Sequence, residues 1–294
     1  MINFENVSKY CLSDITLNIP KGEIVGIIGA SGTGKTTLIK LACGLLAPDS
    51  GNIWTLGKDP VKYRRKYASD ISAFIAGTPL LNPEDTVMQG FEMIAEIYGL
   101  SSEYFGRRYS VLSEKLGFAE LPGYRVKDLS LGQKMRAELG AALLYEPKLL
   151  LLDEPNVGLD ENGKSELSEV LKQSSGMTVF LTSHDMSGIS KLCTRLAILD
   201  GGKLVFYGSL DNLRSRYLPI NRVTVHFSGR VPDLDDLPLQ KYSLEGNTLK
   251  LEYNSNHITA AQITALLLKQ TEITGIGVHK PDLEELVIQI RGLK

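Results

Sequence analysis

A glycine-rich segment follows an apolar run near the N-terminus. Its residues are Gly29, Ala30, Ser31, Gly32, Thr33, Gly34, Lys35, Thr36 and Thr37. Glycines permit backbone conformations that side chains obstruct, so successive N–H groups can converge on phosphate oxygens at the start of a helix. Lys35 can then reach the β- and γ-phosphates of a nucleotide, and the Thr36 hydroxyl can bind Mg²⁺. The segment predicts a phosphate-binding loop, called the phosphate loop below.

The flanking sequence favours this interpretation over a glycine-rich turn with a solvated lysine. Residues 23–28 form a mostly apolar run, as expected of a buried strand. Residues 38–43 have helical character and end at Gly44, a common helix terminator. A strand, a glycine-rich loop and a helix in this order are the context in which such loops bind phosphate.

Acidic residues follow a second apolar run. Residues 149–152 are all leucine, and Asp153 and Glu154 come directly after them. An uninterrupted apolar run is typical of a buried parallel strand, which delivers such carboxylates at its carboxyl end. A further core strand is predicted at residues 177–182, and it ends just before His184.

A helix start lies upstream of the acidic pair. Ser130 precedes Leu131, Gly132 and Gln133, and the predicted helix continues through residue 144. Ser130 suits an N-cap, and the amide of Gly132 near a helix start can address an anion. Taken alone, the pattern is typical of an ordinary helix start. Its position before the acidic strand favours a functional role.

Composition limits the possible classes of protein. The chain has 294 residues and a hydrophobic fraction of 43%, enough for one large domain and a smaller one. Its formal net charge is −2 with no long basic run, so no nucleic-acid partner is expected. Cys11, Cys43 and Cys193 are scattered, which fits a reducing compartment. No signal segment or membrane span is predicted, so a membrane role is expected to come through a partner.

The chain divides into three regions that differ in sequence pattern. From residue 1 to about 217, apolar runs alternate with helical patterns, which predicts an α/β fold. Residues 84–121 show helical spacing with several aromatics, and we interpret about 84–146 as an inserted helical subdomain. Residues 218–294 predict a small α+β domain, with strands at 222–227, 248–253 and 273–279, a turn at 246–247, and helices at 258–270 and 283–290.

In their order, these motifs resemble those of ATP-binding subunits of ABC transporters, over about residues 1–217. The phosphate loop matches the Walker A loop, residues 129–133 the signature motif, and residues 149–154 Walker B with its catalytic glutamate. Residues 158–160 match the D-loop, and His184 matches the switch histidine. The resemblance implies a P-loop ABC ATPase domain with an inserted helical subdomain, followed by the small α+β domain.

The resemblance also implies roles for single residues. Thr36 and Asp153 would hold Mg²⁺, the aspartate through water. Glu154 would polarise the water that attacks the γ-phosphate of ATP, and His184 would contact that phosphate and that water. Asp160 would communicate between protomers, with helix capping as the alternative.

A second copy of the chain is implied as a partner. Ser130, Gly132 and Gln133 would act on the ATP bound by the opposing protomer, so that ATP closes a homodimer. Tyr10 would stack on adenine. Because residues 10–17 are short for the family at this point, a core or surface tyrosine is the alternative.

Two positions depart from the family pattern. Leu131 stands where the commoner signature motif has a second glycine. The glutamine usual after the strand that follows Walker A is absent, and Ala76 or Gly77 occupies its place. Direct contact of this loop with Mg²⁺ is therefore not expected, while the adjoining helical region can still receive a helix of a membrane partner.

Residues 129–133, residues 156–160 and the C-terminal extension look like those of ABC-2-type export subunits of the multidrug or viologen-exporter kind. Residues 280–286 resemble the end of such proteins, with a capped terminal helix as the alternative. We expect an ATP-hydrolysing subunit that energises a separate permease from the cytoplasmic face of the cell membrane. A soluble ABC ATPase acting on ribosomes or DNA, and a regulatory ATPase whose C-terminal domain senses a ligand, remain as alternatives.

Overall fold

The computed structural model describes residues 1–174, 176–184, 188–189, 192–217 and 220–279. The chain forms two compact units, Met1–Gly208 and Ser209–Lys294. The boundary predicted near residue 217 lies at the end of the helix Leu210–Tyr217, which belongs to the second unit. The helix predicted at 283–290 and the motif at 280–286 lie outside the described residues.

The first unit alternates strands and helices, which confirms the predicted α/β class. Its strands are β1 (Ile2–Lys9), β2 (Leu12–Ile19), β3 (Ile24–Gly29), β4 (Ser50–Thr55), β5 (Ile71–Phe74), β6 (Leu149–Asp153), β7 (Thr178–Ser183), β8 (Arg195–Asp200) and β9 (Lys203–Gly208). Its α-helices, as far as they are described in full, are α1 (Lys35–Ala42), α2 (Pro60–Tyr63), α3 (Val87–Ile97), α4 (Ser102–Lys115), α5 (Leu131–Leu143) and α6 (Glu161–Gln173).

The central sheet has six strands in the order β5-β6-β7-β3-β8-β9. Its neighbouring strands are parallel except for β8 with β9. Every residue of β6 is buried, which explains its unbroken run of leucines. Ile28 pairs with Ser183, and Asp153 pairs with Thr182. The carboxyl ends of β3, β6 and β7 therefore lie side by side, and the groups that follow them share one edge.

Helix α1 starts directly after the phosphate loop. Gly34 precedes the helix with a φ of +101°, and a Cβ at this position would lie 2.4 Å from Leu12 Cδ2. Both facts require glycine. Leu38 and Ile39 are fully buried in the core that α1 shares with the sheet. The packing of α1 thus fixes the position of Lys35 at its first residue.

A three-stranded antiparallel sheet, in the order β2-β1-β4, shares this core. Strands β1 and β2 lack the regular alternation by which a strand is recognised in a sequence. In β2 the buried residues include Leu12, Ile15 and Leu17, and the spacing of three residues between the first two breaks strict alternation. The register of β1 on β2 shifts between Phe4 and Val7, which likewise hides the strand pattern.

Helices α3, α4 and α5 follow one another between β5 and β6, within the range 84–146 predicted for the helical subdomain. An aromatic cluster joins α3 to α4 and to the segment that follows α4. The ring centroid of Phe91 lies 5.0 Å from that of Tyr109 and 5.5 Å from that of Phe118. The aromatic residues noted in the sequence at helical spacing thus include core residues of this region.

The second unit contains an antiparallel sheet and a covering helix. Its elements are α7 (Leu210–Tyr217), β10 (Ile220–Ser228), β11 (Leu239–Glu245), β12 (Thr248–Asn254), α8 (Ala260–Leu268) and β13 (Glu272–His279). The strand order is β11-β12-β10-β13. From β10 to β13 the succession is that of a ferredoxin-like fold, with residues 229–238 in place of the first helix. In the described part of the chain, no helix has the length and hydropathy needed to cross a bilayer.

Candidate active site

Lys35 is buried within the phosphate loop. Its Nζ donates to the carbonyl oxygen of Gly29 at 3.0 Å and to that of Ala30 at 3.1 Å. The same Nζ lies 3.5 Å from Glu154 Oε1. The ammonium group is therefore centred on the loop, where it can meet a phosphate oxygen as a point charge.

A chain of hydroxyl and carboxylate groups joins α1 to the sheet. The Thr36 hydroxyl donates to Asp153 Oδ2 at 2.8 Å. The Thr182 hydroxyl donates to Asp153 Oδ1 at 2.7 Å. Both oxygens of this buried carboxylate are thus held in place. Thr182 is a site residue that the sequence analysis missed, because only the pairing of β6 with β7 places it beside Asp153.

The loop and its neighbours fit a nucleotide with Mg²⁺. A Cβ on Gly29 would lie 2.5 Å from Thr33 Oγ1, so the loop closes tightly there. Gly32 has a φ of +80° and nothing within 4 Å of its Cβ position, which leaves the approach to its backbone open. A carboxylate and a hydroxyl oxygen, those of Asp153 and Thr36, are the hard ligands that Mg²⁺ prefers.

The backbone of Glu154 adopts a conformation that is rare for a residue with a side chain. Its φ is +53°. Its N–H donates to both oxygens of Thr182, to the carbonyl at 3.2 Å and to the hydroxyl at 3.0 Å. Strain of this kind persists where surrounding contacts impose it, and such positions cluster at functional sites. These contacts turn the Glu154 side chain toward His184 and Lys35.

The Glu154 carboxylate joins two of the predicted site residues. Its Oε2 accepts hydrogen bonds from the His184 backbone N–H at 3.1 Å and contacts His184 Nδ1 at 2.8 Å. An ionised carboxylate only accepts, so Nδ1 carries the proton in this contact. Nε2 of a neutral ring is then an acceptor, and donation from it to a phosphate oxygen requires the imidazolium form.

The signature segment forms an exposed helix start, as the sequence predicts. Ser130 Oγ accepts from Gln133 N at 3.3 Å, and Gln133 Oε1 accepts from Ser130 N at 3.0 Å. Ser130 is therefore the N-cap of α5, in a reciprocal capping box. Ser130 and Gln133 are exposed and bonded to each other, so the structure does not bring them to the phosphate loop of their own chain.

Gly132 and Leu131 contact the turn that precedes α6. A Cβ on Gly132 would lie 2.8 Å from the carbonyl oxygen of Gly158, so glycine permits this close approach. Gly158 has a φ of +80°, and a Cβ on it would meet Leu131 Cγ at 2.6 Å. The Leu131 side chain thus lies against Gly158, and this contact accommodates the departure from the commoner signature motif.

Asp160 caps a helix in this structure. Its Oδ1 accepts from Gly163 N at 2.9 Å, and Arg136 Nη2 lies 3.1 Å from the same oxygen. The Gly163 amide, with the Arg136 guanidinium, lowers the pKa of Asp160 from its usual value. The geometry therefore supports the capping role that the sequence left as an alternative. Arg136 also binds Leu116 O and Glu166, and the sequence analysis did not identify it.

Tyr10 is a surface residue with 72% of its area exposed, so the core alternative is wrong. Its φ of +53° places it in a tight turn. The next residue, Cys11, directs its Sγ to the carbonyl oxygen of Gly32 at 3.4 Å. The turn that carries Tyr10 therefore adjoins the phosphate loop, where adenine stacking remains a prediction.

The loop without the family's glutamine forms a tight turn at residues 75–78. Thr78 N donates to Ile75 O at 2.9 Å, and Gly77 has a φ of +79°. Nothing lies within 4 Å of a Cβ on Gly77. Glycine is thus favoured there by backbone conformation and not by lack of space.

Comparisons with known proteins identify the family of the chain. Residues 12–157 match the family described as ABC transporter. The linearmycin resistance ATP-binding protein LnrL of Bacillus subtilis is 30% identical, over 99% of this chain and 98% of its own. A Nod factor export ATP-binding protein I of Rhizobium etli is 28% identical, over 99% of this chain and 93% of its own. A methionine import ATP-binding protein MetN of Clostridium acetobutylicum is 31% identical, over 90% of this chain and 84% of its own.

A solved structure extends the comparison to three dimensions. The bacterial ABC transporter cassette MJ0796, solved as a dimer, aligns with a TM-score of 0.64 and 25% identity, over 71% of this chain and 99% of that one. The fold and site thus define an ATP-binding cassette. The chain belongs to the ATP-binding proteins of ABC transporters, and its activity is that of an ATPase.

Proposed function

We propose that this chain is the ATP-hydrolysing subunit of an ABC-2-type exporter, acting as a homodimer on a separate membrane permease. The observation that carries the proposal is that Lys35 and His184 both contact Glu154 at one edge of the sheet. Lys35 Nζ lies 3.5 Å from Glu154 Oε1, and His184 Nδ1 lies 2.8 Å from Glu154 Oε2. Lys35 supplies positive charge for the phosphate, Glu154 is the base that acts on water, and His184 orients Glu154 for phosphoryl transfer to water.

Binding is assigned to the phosphate loop. Backbone N–H groups of residues 29–34 and the Nζ of Lys35 bind the phosphates of ATP. Thr36 and Asp153, the aspartate through water, would hold Mg²⁺, which would supply positive charge beside the phosphate oxygens. Thr182 keeps the Asp153 carboxylate oriented through its hydrogen bond of 2.7 Å. Tyr10 stacks on the adenine ring.

Hydrolysis is assigned to Glu154 and His184. Glu154 accepts a proton from the attacking water, and His184 orients the Glu154 carboxylate through the contact of 2.8 Å. A phosphate oxygen in the loop competes with Glu154 for Lys35, and this competition releases Glu154 Oε1 from its contact of 3.5 Å. ATP binding thereby frees the base that acts on water.

A second copy completes each site. The exposed N-terminus of α5, which carries Ser130, Gly132 and Gln133, offers the partial positive charge of the helix to the ATP of the opposing protomer. Asp160 connects that helix start to α6 through Arg136, at 3.1 Å, and so carries communication between the two sites. The similarity to a cassette solved as a dimer supports this arrangement.

Export is favoured by the relatives that span almost the whole chain. The resistance protein and the Nod factor export protein each align with 99% of it, including the C-terminal unit. The methionine import protein is 31% identical over 90% of this chain. Similarity of the ATPase machinery alone therefore does not fix the direction of transport. The chain is assigned to the cytoplasmic face of the membrane through its permease.

The test is purification of the tagged chain from detergent-solubilised membranes, with identification of the co-purifying integral subunit. Reconstitution of the pair in vesicles is expected to give ATPase activity above that of the chain alone, and ATP-dependent movement of substrate away from the ATPase side. Movement toward that side contradicts export. Stimulation by ribosomes or DNA instead of the membrane subunit supports the soluble alternative, and stimulation by a small ligand bound to residues 218–294 supports the regulatory one.

A further inference from the structure

A buried glutamate joins the signature helix to the loop that lacks the family's glutamine. Glu138 lies on α5 and is 2% exposed. Its Oε2 accepts from Leu80 N at 2.7 Å, and its Oε1 accepts from Leu81 N at 3.4 Å. Both carboxylate oxygens therefore bind two successive amides of one loop.

The two amides belong to a segment that is fixed on either side. Before them, the turn at residues 75–78 is closed by its own hydrogen bond of 2.9 Å. After them, the Leu81 side chain is 1% exposed and packs against Gly90 of α3, where a Cβ would lie 2.8 Å from Leu81 Cδ2. Glu138 is thus the link from this segment to α5, while Leu81 links it to α3.

A carboxylate is a costly choice for such a buried position. Burial raises the pKa of Glu138, and the amides of Leu80 and Leu81, with Lys134 one turn earlier on α5, oppose that rise. An apolar side chain would fill the same space without this cost. What the glutamate adds is two directed hydrogen bonds, which set the position of the loop relative to the helix.

The position matters because of what lies next to it. Glu138 and residues 75–79 line one cavity of about 340 Å³, whose wall also includes Asp153 and Glu154. Ser130 lies eight residues earlier on α5, which is about 12 Å along the helix axis. The loop beside the reacting groups and the helix start offered to the partner are therefore joined through Glu138.

We propose that Glu138 is a positioning residue for ATP hydrolysis, which holds the loop at residues 75–81 in a fixed relation to the start of α5. Movement of that loop, beside Glu154 in its own chain, is transmitted to Ser130, which serves the partner's site. The inference rests on the proposed action of Ser130 across the homodimer. In this chain the hydrogen bonds of Glu138 thus tie the loop at Gly77 to the rest of the ATPase.

The experiment is steady-state ATP hydrolysis by the full-length chain and two variants of similar side-chain size. Glu138→Met removes both acceptors, and Glu138→Gln retains one. Leaving buried amides unpaired is expected to lower kcat about tenfold in Glu138→Met and less in Glu138→Gln. The KM for ATP is expected to stay within about twofold in both, because the phosphate loop is held by other elements.

Thr178→Val is the matched control. Gly22 N donates to the buried hydroxyl of Thr178 at 2.8 Å, so this variant also deprives a backbone amide of its side-chain acceptor. Thr178 lies at the amino end of β7, whereas the site lies at the carboxyl end. Thr178→Val is expected to lower the melting temperature but to keep kcat within about twofold of wild type.

Hydrogen exchange of peptides that contain Leu80 and Leu81 gives a second readout. Both Glu138 variants are expected to exchange these amides faster than the wild type. A kcat within twofold of wild type in Glu138→Met overturns the inference, and so does an equal loss of kcat in Thr178→Val. A wild-type chain that hydrolyses no ATP contradicts the proposed function and this inference together, whereas unchanged turnover in the variants contradicts this inference alone.

Discussion

Glu154 is held at its backbone and at both oxygens of its side chain. Its N–H is held by Thr182, its Oε2 by His184 and its Oε1 by Lys35. The same Lys35 also binds the carbonyl oxygens of the phosphate loop. On the proposed mechanism, nucleotide binding and the orientation of Glu154 therefore both depend on the ammonium group of Lys35.

Replacing Lys35 tests this dependence. Lys35→Ala removes charge-assisted hydrogen bonds and is expected to weaken ATP binding at least about tenfold, measured by isothermal titration calorimetry. Lys40→Ala, on the last turn of the same helix, is the control and is expected to bind ATP like the wild type. Equal ATP affinity in Lys35→Ala and the wild type would refute the phosphate contact.

Restoring a glutamine at the 75–78 turn tests the missing metal contact. Gly77→Gln is expected to fold, because the Cβ position is open, but to lose about 1 kcal/mol of stability from its positive φ. Ala76→Gln has no positive φ to accommodate and serves as the comparison. We expect Gly77→Gln to lower the Mg²⁺ concentration for half-maximal ATPase activity. Identical Mg²⁺ dependence in wild type and both variants would argue against this position for the family's glutamine.

At the scale of elements, the start of α5 and the start of α6 form one contact surface. Arg136 joins Asp160 at 3.1 Å and also pairs with Glu166, so two positions of α6 are held by one residue of α5. The backbone of Gly132 meets that of Gly158 nearby. These contacts therefore hold residues 129–133 and residues 158–160 together in this structure.

A single methyl group can separate these two elements. Gly132→Ala places a Cβ 2.8 Å from the Gly158 carbonyl oxygen, and the backbone must shift to relieve it. We expect a lower melting temperature, with a loss of about 1–3 kcal/mol, and reduced ATPase activity. Gly106→Ala, within α4 and with nothing inside 4 Å, is the control and is expected to raise the melting temperature. A rise in both variants would contradict the close approach.

The elements that could be predicted from sequence are those with a clear burial pattern. The leucine run of β6 and the run before His184 correspond to strands of the central sheet. Strand β11 could not be predicted, because six of its seven residues are exposed and show no alternation. In the site, motifs located Lys35 and Glu154. The contact of Glu138 with Leu80 was beyond sequence reasoning, because it joins residues 58 positions apart through tertiary packing.

At the scale of the whole molecule, the chain holds two incomplete sets of groups. The sheet edge carries the phosphate loop with Glu154, and the start of α5 carries Ser130 and Gln133, which bond to each other. A homodimer that pairs one set with the other has two equivalent sites. In the proposed mechanism, ATP bound at these sites closes the homodimer, so assembly depends on nucleotide state.

Glu154→Gln separates assembly from hydrolysis. The amide keeps the size of the side chain but does not accept a proton from water, so hydrolysis is expected to fall at least about 100-fold. ATP-bound dimers are expected to accumulate, measured by size-exclusion chromatography with light scattering. Glu169→Gln, an exposed acid on α6, is the control and is expected to stay active. Unchanged steady-state turnover in Glu154→Gln would exclude the role of base.

The backbone of Glu154 has a consequence for how this protein can change over evolutionary time. Glycine and asparagine adopt a φ of +53° at low energetic cost, whereas this conformation is unfavourable for glutamate. Selection for thermal stability alone would therefore favour another residue at this position, whereas selection for the proposed role in turnover would favour glutamate. On the proposed assignment of Glu154 as the base, the chain gives up some stability at a residue that acts on water, and a copy of the chain under no selection for hydrolysis is expected to lose the glutamate at this position first.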